Sequence, residues 1–362
     1  MLNGHGGNIL ALAHRLGCRP EEIIDVSSNI NPLGPPPGLM RYLRGQMAVL
    51  CRLPEVDGRE VSTRMATLLG VNPDRILAGA GTTPFIHDMF AVLRSRRVVI
   101  VGPTYADYAD ACRRHGIAPE FFLAEARLRF WVDGSRLDET AGRADTVVIC
   151  NPNNPTGAMI SREELLVLCR RHPATRFVID ESYLPFVADA EHRSLIHSGL
   201  ENVIVLHSLS KVYRLPGLRI GFVIAAASII ELFRQRLLPW SLNSLAQAAI
   251  MYLTENMESV ATFVRKSRGF IGQERARFYS RLRDAPAFKA FPSNANFFLI
   301  ELPFTMSAAR VWDRLAQKRV LVRDCSNFYG LNERFIRIAI HQSEVNAQVA
   351  DMLLACAGRC DG

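Results

Sequence analysis

One pattern limits the fold of this chain more than any other: short apolar runs alternate with helical stretches between residues 59 and 225. Residues 75–80, 98–101, 119–123, 146–150, 176–179, 203–206 and 220–225 read as strands. Most are apolar along their whole length, as strands covered on both faces are. Helical patterns fall at 59–69, 84–93 and 105–115, and Ser161 with Glu164 is spaced as a capping box for another helix. The expectation is an α/β fold, a mostly parallel seven-stranded sheet between helices. Such sheets bind ligands at the carboxyl ends of their strands. Four polar signatures sit there: Gly81-Thr82-Thr83, Asn154, Asp180 and Ser208-Leu209-Ser210-Lys211.

The flanks read differently. Residues 1–40 are turn-rich, with Asn29-Ile30-Asn31-Pro32-Leu33-Gly34-Pro35-Pro36-Pro37, and hold one short helix at 9–17. Helical periodicity over 244–274 reads as a long connector. Strands at 297–301 and 335–340 with helices at 311–318 and 344–354 read as a smaller α+β domain. The expected organisation is an arm or site-lining segment at 1–40, a large ligand-binding domain at 41–245, a connecting helix at 246–275 and a small C-terminal domain at 276–362.

Charge and cysteine content narrow the function classes. Lys plus Arg is 43 against 35 for Asp plus Glu, a net charge of +8. The basic residues are dispersed and interrupted by acids, which reads as an arginine-rich surface rather than a nucleic-acid footprint. No apolar run approaches the roughly 20 residues that span a bilayer. The N-terminus lacks a basic region followed by a hydrophobic stretch, so a soluble cytoplasmic protein is expected. The eight cysteines form no secreted framework. Cys356 and Cys360 near the end read as part of a frayed terminus or, less simply, as a metal or redox pair; no metal site is expected.

Only Lys211, Lys266, Lys289 and Lys318 are lysines, so an amine with a chemical task has few candidates. Lys211 follows a strand and a Ser-x-Ser, and Arg219 lies eight residues on. A solvated strand-end lysine is one reading. The other is an amine that forms a Schiff base with a carbonyl cofactor, beside hydroxyls and a cation suited to a phosphate. Asp180, at a strand end, either caps a helix or pairs with a pyridine nitrogen and makes the ring an electron sink.

Six segments carry a resemblance: Pro103-Thr104-Tyr105, Asn151-Pro152-Asn153-Asn154-Pro155-Thr156-Gly157, Asp180-Glu181-Ser182-Tyr183, Ser208-Leu209-Ser210-Lys211, Arg214-Leu215-Pro216-Gly217-Leu218-Arg219-Ile220-Gly221 and Arg334-Phe335-Ile336-Arg337. In this order they resemble the fold-type I pyridoxal-phosphate enzymes of the aminotransferase superfamily, over nearly the whole chain. The resemblance implies pyridoxal 5'-phosphate as cofactor and a homodimer. It implies that Lys211 carries the cofactor and moves protons, that Asp180 pairs with the pyridine nitrogen and that Tyr105 stacks on the ring. By the same resemblance Asn154 and Tyr183 address the ring oxygen, while Gly81, Thr82, Ser208, Ser210 and Arg219 hold the phosphate. Arg337 becomes the clamp for the substrate carboxylate. The family usually has Tyr-Pro where this chain has Leu53-Pro54, and Leu53 cannot donate the bond which that tyrosine sends to the neighbouring subunit's cofactor.

The ends of the chain sharpen the resemblance. His5-Gly6-Gly7-Asn8, Asp25-Val26-Ser27-Ser28-Asn29-Ile30-Asn31-Pro32-Leu33-Gly34 and Val322-Arg323-Asp324-Cys325-Ser326-Asn327-Phe328-Tyr329-Gly330-Leu331 resemble the threonine-phosphate decarboxylases of the cobalamin pathway. These decarboxylate L-threonine O-3-phosphate to (R)-1-amino-2-propanol O-2-phosphate. That implies a substrate site of His5, Gly6, Gly7, Asn29, Asn154, Arg323 and Arg337, with His5, Asn29 and Arg323 on the phosphate. An aminotransferase for a phosphorylated substrate such as histidinol phosphate shares the core and is the alternative.

Overall fold

The computed structural model describes residues 6–283 and 288–357. At its centre is a seven-stranded sheet in the spatial order Ile76–Gly79, Gly221–Ile224, Val203–Ser208, Arg176–Asp180, Thr146–Cys150, Val98–Gly102, Glu120–Leu123. Six strands run the same way; only Gly221–Ile224 is antiparallel to its neighbours. Helices including Arg59–Leu69, Thr83–Val92, Asp107–Arg114, Arg162–Arg171, Ala227–Arg234 and Ser244–Glu255 cover it. Val147, Val148, Phe177, Ile179, Ile204 and Phe222 are buried in one continuous core, which is why these strands carry no polar alternation. The capping box at Ser161 forms as expected: the Ser161 Oγ accepts from the Glu164 amide, and Glu164 Oε2 accepts from the Ser161 amide.

The chain order produces a switch in the sheet. After Val98–Gly102 the chain moves outward to Glu120–Leu123, then returns to Thr146–Cys150 on the other side of Val98–Gly102. The loops leaving those two inner strands diverge and open a crevice, the position at which parallel sheets seat ligands. They carry Tyr105 and Asn154.

A second core unites Phe278, Phe298, Ile300, Val311, Ile336, Ile338, Val349 and Leu353 with Val26 from the N-terminal segment. Phe297–Glu301 and Phe335–Ala339 pair antiparallel there. The irregular first segment is tied to both parts of the molecule. Ile24–Asp25 pairs with Val320–Leu321, and the Asn31 amide donates to the Lys211 carbonyl at 3.0 Å. Leu12 and Ala13 of the helix Ile9–Leu16 pack on Ala316 and Leu321.

Three local expectations are corrected. The helical stretch over 244–274 is two helices, Ser244–Glu255 and Met257–Arg283, because Asn256 leaves helical geometry and caps the first. Gly134–Ala141 is a helix that the sequence reading left out; Asp133 caps it by accepting from the Ser135 and Arg136 amides. The last helix, Ser343–Ala357, continues past 354 and buries Cys356, so that residue is packed rather than frayed. Cys360 lies outside the described residues.

Candidate active site

Each parallel strand near the crevice delivers a polar residue at its carboxyl end. Asp180 is the last residue of Arg176–Asp180, Ser208 the last of Val203–Ser208, and Gly81-Thr82 follows Ile76–Gly79. Asn154 projects from a loop braced by side-chain bonds. Asn151 grips the Ile160 backbone through both amide atoms, at 2.8 and 2.9 Å. Asn153 donates to the Pro103 carbonyl at 2.8 Å and accepts from Thr104 Oγ1 at 2.7 Å.

These elements enclose a cavity of about 160 Å³ lined by Gly81, Thr82, Tyr105, Asn154, Asp180, Tyr183, Ser208, Ser210, Lys211 and Arg219. All ten residues read from the sequence as cofactor contacts therefore share one space. One end is suited to phosphate. Thr82 caps the helix Thr83–Val92, whose first turn has no side-chain cap on its amides, so they remain available to an anion. Gly81 has φ of +82°, and a Cβ there would lie 2.9 Å from the Arg219 guanidinium; glycine keeps that end open. The other end is suited to a ring nitrogen. Asp180 is 4% exposed and, among the described residues, has no ion-pair partner.

Lys211 lies between this cavity and a larger one of about 690 Å³, which it shares with Tyr105, Asn154 and Tyr183. Burial, reinforced by the Arg337 and Arg219 guanidiniums and opposed by Asp180, pushes the Lys211 ammonium down to about 8. About a tenth of the amine is thus neutral at pH 7, far more than for an ordinary lysine, which a nucleophilic or proton-shuttling amine needs. Burial pushes the Tyr183 phenol up to about 12, against the pull of Arg337 and the bond from Asn29, so it stays a hydrogen-bond donor. Burial and Asp107 raise Tyr105 further.

The larger cavity is lined by Gly6, Gly7, Asn29, Arg323 and Arg337 among others. Every sequence-derived substrate residue except His5 is therefore on one wall or another; His5 lies outside the described residues. Arg323 and Arg337 stand directly opposite each other on antiparallel strands, so their side chains leave the same face of the sheet. Two like charges so placed repel. Arg337 is 5% exposed. It donates to Asn154 Oδ1 through Nη1 and to the Ser27 carbonyl through Nη2 at 2.6 Å, while Nε has no partner. Arg323 donates to Asn327 Oδ1 at 2.7 Å and lies over the Phe328 ring.

Asn29, read from the sequence as a phosphate contact, lines the larger cavity beside Tyr183. Its Nδ2 donates to Tyr183 Oη at 3.2 Å, and its buried Oδ1 has no partner. In this orientation the amide offers an acceptor, not a donor for phosphate; a half-turn would reverse the offer while Tyr183 donates to Oδ1. Leu53 is 75% exposed and does not line the cavity of its own chain. The sequence reading overlooked Tyr108, whose hydroxyl donates to Asp180 Oδ2 at 2.7 Å. The sequence carried no signal for it, since a tyrosine in the helix Asp107–Arg114 reads as core. Ser27, Arg113 and Asn327 on the larger cavity were also passed over.

Residues 21–353 match the family described as aminotransferase class I and II. The chain belongs to that family. This aminotransferase-family protein is 31% identical to the threonine-phosphate decarboxylase of Salmonella typhimurium, over 96% of its own chain and 94% of that protein. It is also 31% identical to the adenosylcobalamin biosynthesis bifunctional protein CobDQ of Leptospira interrogans, of whose length it spans 40%. Two crystal structures superpose closely. One is the L-threonine-O-3-phosphate decarboxylase from Porphyromonas gingivalis, with TM-score 0.83, 28% identity and coverage of 93% of this chain and 100% of that one. The other is the histidinol-phosphate aminotransferase from Clostridium acetobutylicum, with TM-score 0.85, 25% identity and coverage of 93% and 99%. Class I and II aminotransferases use pyridoxal 5'-phosphate, and the cavity fits it: an anion cradle at Gly81-Thr82-Arg219, a buried carboxylate at Asp180 and an amine of lowered basicity at Lys211.

Proposed function

We propose that this protein decarboxylates L-threonine O-3-phosphate to (R)-1-amino-2-propanol O-2-phosphate and CO2. The observation that carries the reading is the pair Arg323 and Arg337, opposed across two strands on the cavity that Lys211 also lines, with Arg337 buried and without a carboxylate partner among the described residues. A buried, unpaired guanidinium is costly unless an anion completes it. With the partly exposed Arg323 on the same cavity, the pair suits a substrate with an anion at each end, and a phosphorylated amino acid is one.

The residues divide the work. Gly81, Thr82, Ser208, Ser210 and Arg219 would hold the cofactor phosphate, Asp180 its ring nitrogen, Asn154 and Tyr183 its ring oxygen, with Tyr105 against the ring. When bound, pyridoxal phosphate supplies an electron sink for the pair left on Cα when a bond to that carbon breaks. Arg337 binds the α-carboxylate and Arg323 the phosphate, so the substrate is held at both ends and rotation about its Cα is restricted. That restraint selects the carboxylate bond over the Cα–H bond. The C–CO2 bond breaks, CO2 leaves, and a proton must reach Cα in its place. The Lys211 ammonium, titrating near 8, is the proton donor positioned between the two cavities.

A homodimer belongs to this reading. Leu50, Leu53, Val56, Leu238 and Trp240 expose apolar side chains around a backbone bond from Trp240 to Val56 of 2.8 Å. A second copy would cover them; a solution mass of one chain would count against it.

The deciding assay supplies threonine phosphate to the cofactor-loaded protein without any keto acid and measures CO2. Stoichiometric CO2 and aminopropanol phosphate are expected. Turnover that depends on 2-oxoglutarate and releases no CO2 would assign the protein to the aminotransferases instead.

A further inference from the structure

Asp180 meets the cavity with both carboxylate oxygens already engaged by the protein. The Ser182 amide donates to Oδ1 at 2.9 Å, and the Tyr108 hydroxyl donates to Oδ2 at 2.7 Å. Tyr108 is fully buried, at 0% exposure. It comes from the helix Asp107–Arg114, on the far side of the sheet's switch from the Asp180 strand. A buried phenol needs a partner. Here it is directed at the one carboxylate that faces the cofactor cavity, and its own ring is held edge-on against Tyr105, with centroids 5.8 Å apart. Burial and Asp180 itself keep the phenol proton on the oxygen, so the hydroxyl can donate to the carboxylate.

A carboxylate held by one hydrogen bond can still swing about its terminal torsion, which is soft. Two donors, one on each oxygen and from different elements, remove that freedom. We propose that Tyr108 is a positioning residue: its hydroxyl locks the Asp180 carboxylate in the orientation that receives the cofactor's ring nitrogen. The inference rests on Asp180 serving that nitrogen, and extends it to a second residue on the wall of the same cavity, acting through the carboxylate. Without the hydroxyl, Oδ2 is a buried charged acceptor that has lost a donor, and the carboxylate must reorient before the cofactor binds.

The test is a double-mutant cycle in the cofactor-free protein, titrated with pyridoxal phosphate and followed by its visible band. Tyr108→Phe keeps the ring volume. A lost hydrogen bond to a charged group should weaken cofactor binding roughly 10-fold, and the pH dependence of the band should move toward that of Asp180→Asn. In the Asp180→Asn background the same change should alter binding less than about 2-fold, since coupled residues are not additive. Wild-type binding and band in Tyr108→Phe, or an equal loss in both backgrounds, would overturn the proposal. If Asp180→Asn itself leaves binding and band unchanged, the assignment of Asp180 fails, and that failure is distinguishable from the first. A second readout needs no Tyr108 variant: the wild-type protein should show a slowly exchanging downfield hydroxyl proton that shifts in Asp180→Asn. Its absence would count equally against the proposal.

Discussion

Arg337→Met separates a ligand-binding role from a structural one, because the two predict opposite balances of stability and activity. Methionine is of similar length, neutral and without polar atoms to strand. In the unliganded protein two effects oppose. Removing a buried charge with no counter-ion relieves a desolvation cost of roughly several kcal/mol. Losing the donations to Asn154 and to Ser27 costs about 1.5–3 kcal/mol each. These nearly cancel, so unfolding free energy should change by no more than about 2 kcal/mol. Catalysis has no such compensation. Truncating one partner of a buried charged pair costs about 2–5 kcal/mol, which is roughly 30-fold to several thousand-fold in kcat/KM. Urea unfolding of the cofactor-free proteins gives the first quantity, and CO2 release against threonine phosphate concentration gives the second. A fall in stability beyond about 4 kcal/mol with kcat/KM of the folded fraction unchanged would refute the reasoning and make Arg337 a structural strut.

Two further outcomes follow from the same charges. Lys211→Met should abolish the visible cofactor band and stabilise the cofactor-free protein near neutral pH. The sign follows from the lowered basicity: below about 8 the fold must bury an ammonium, and between about 8 and the ordinary value of 10.5 it sheds the proton before the unfolded chain does. The variant's advantage should be on the order of 1–3 kcal/mol at pH 7 and shrink as pH rises; an advantage that grows with pH in urea titrations would be the wrong sign. Arg323→Ala should raise KM for threonine phosphate roughly 10-fold or more, with a much smaller effect on the binding of unphosphorylated L-threonine. Equal losses on both substrates would remove Arg323 from the phosphate.

Much of the scaffold was legible because it is written locally. Strands such as Thr146–Cys150 and Val203–Ser208 are buried on both faces, so their own composition announces them. The capping box at Ser161 is a four-residue signal and formed as read. The helix Gly134–Ala141 was missed because five of its eight residues carry polar side chains and its start depends on one cap at Asp133. The break at Asn256 was missed because periodicity continues across it; only the packing of each segment on a different neighbour separates them. Among site residues, Lys211 and Asp180 stood out by type and by position at strand ends. Tyr108 did not, since a tyrosine on a helix reads as core until the carboxylate it faces is known. Asn29 lines the larger cavity, but the direction of its amide depends on Tyr183, 154 residues away.

The sequence by itself determined which residues end the strands, and the parallel order then required them to converge, because strands running one way present their carboxyl ends on one edge. It also determined the scarcity of lysine that singles out Lys211. The tertiary structure alone decided how those residues act on one another. It brought Arg323 opposite Arg337, a matter of strand register, and left Arg337 with an unmatched Nε. It also buried Lys211 beside two guanidiniums, which lowers its basicity against the opposing pull of Asp180, and it turned Tyr108 onto Asp180. Each is a long-range contact whose energy depends on distance and burial, and neither quantity exists until the chain has packed.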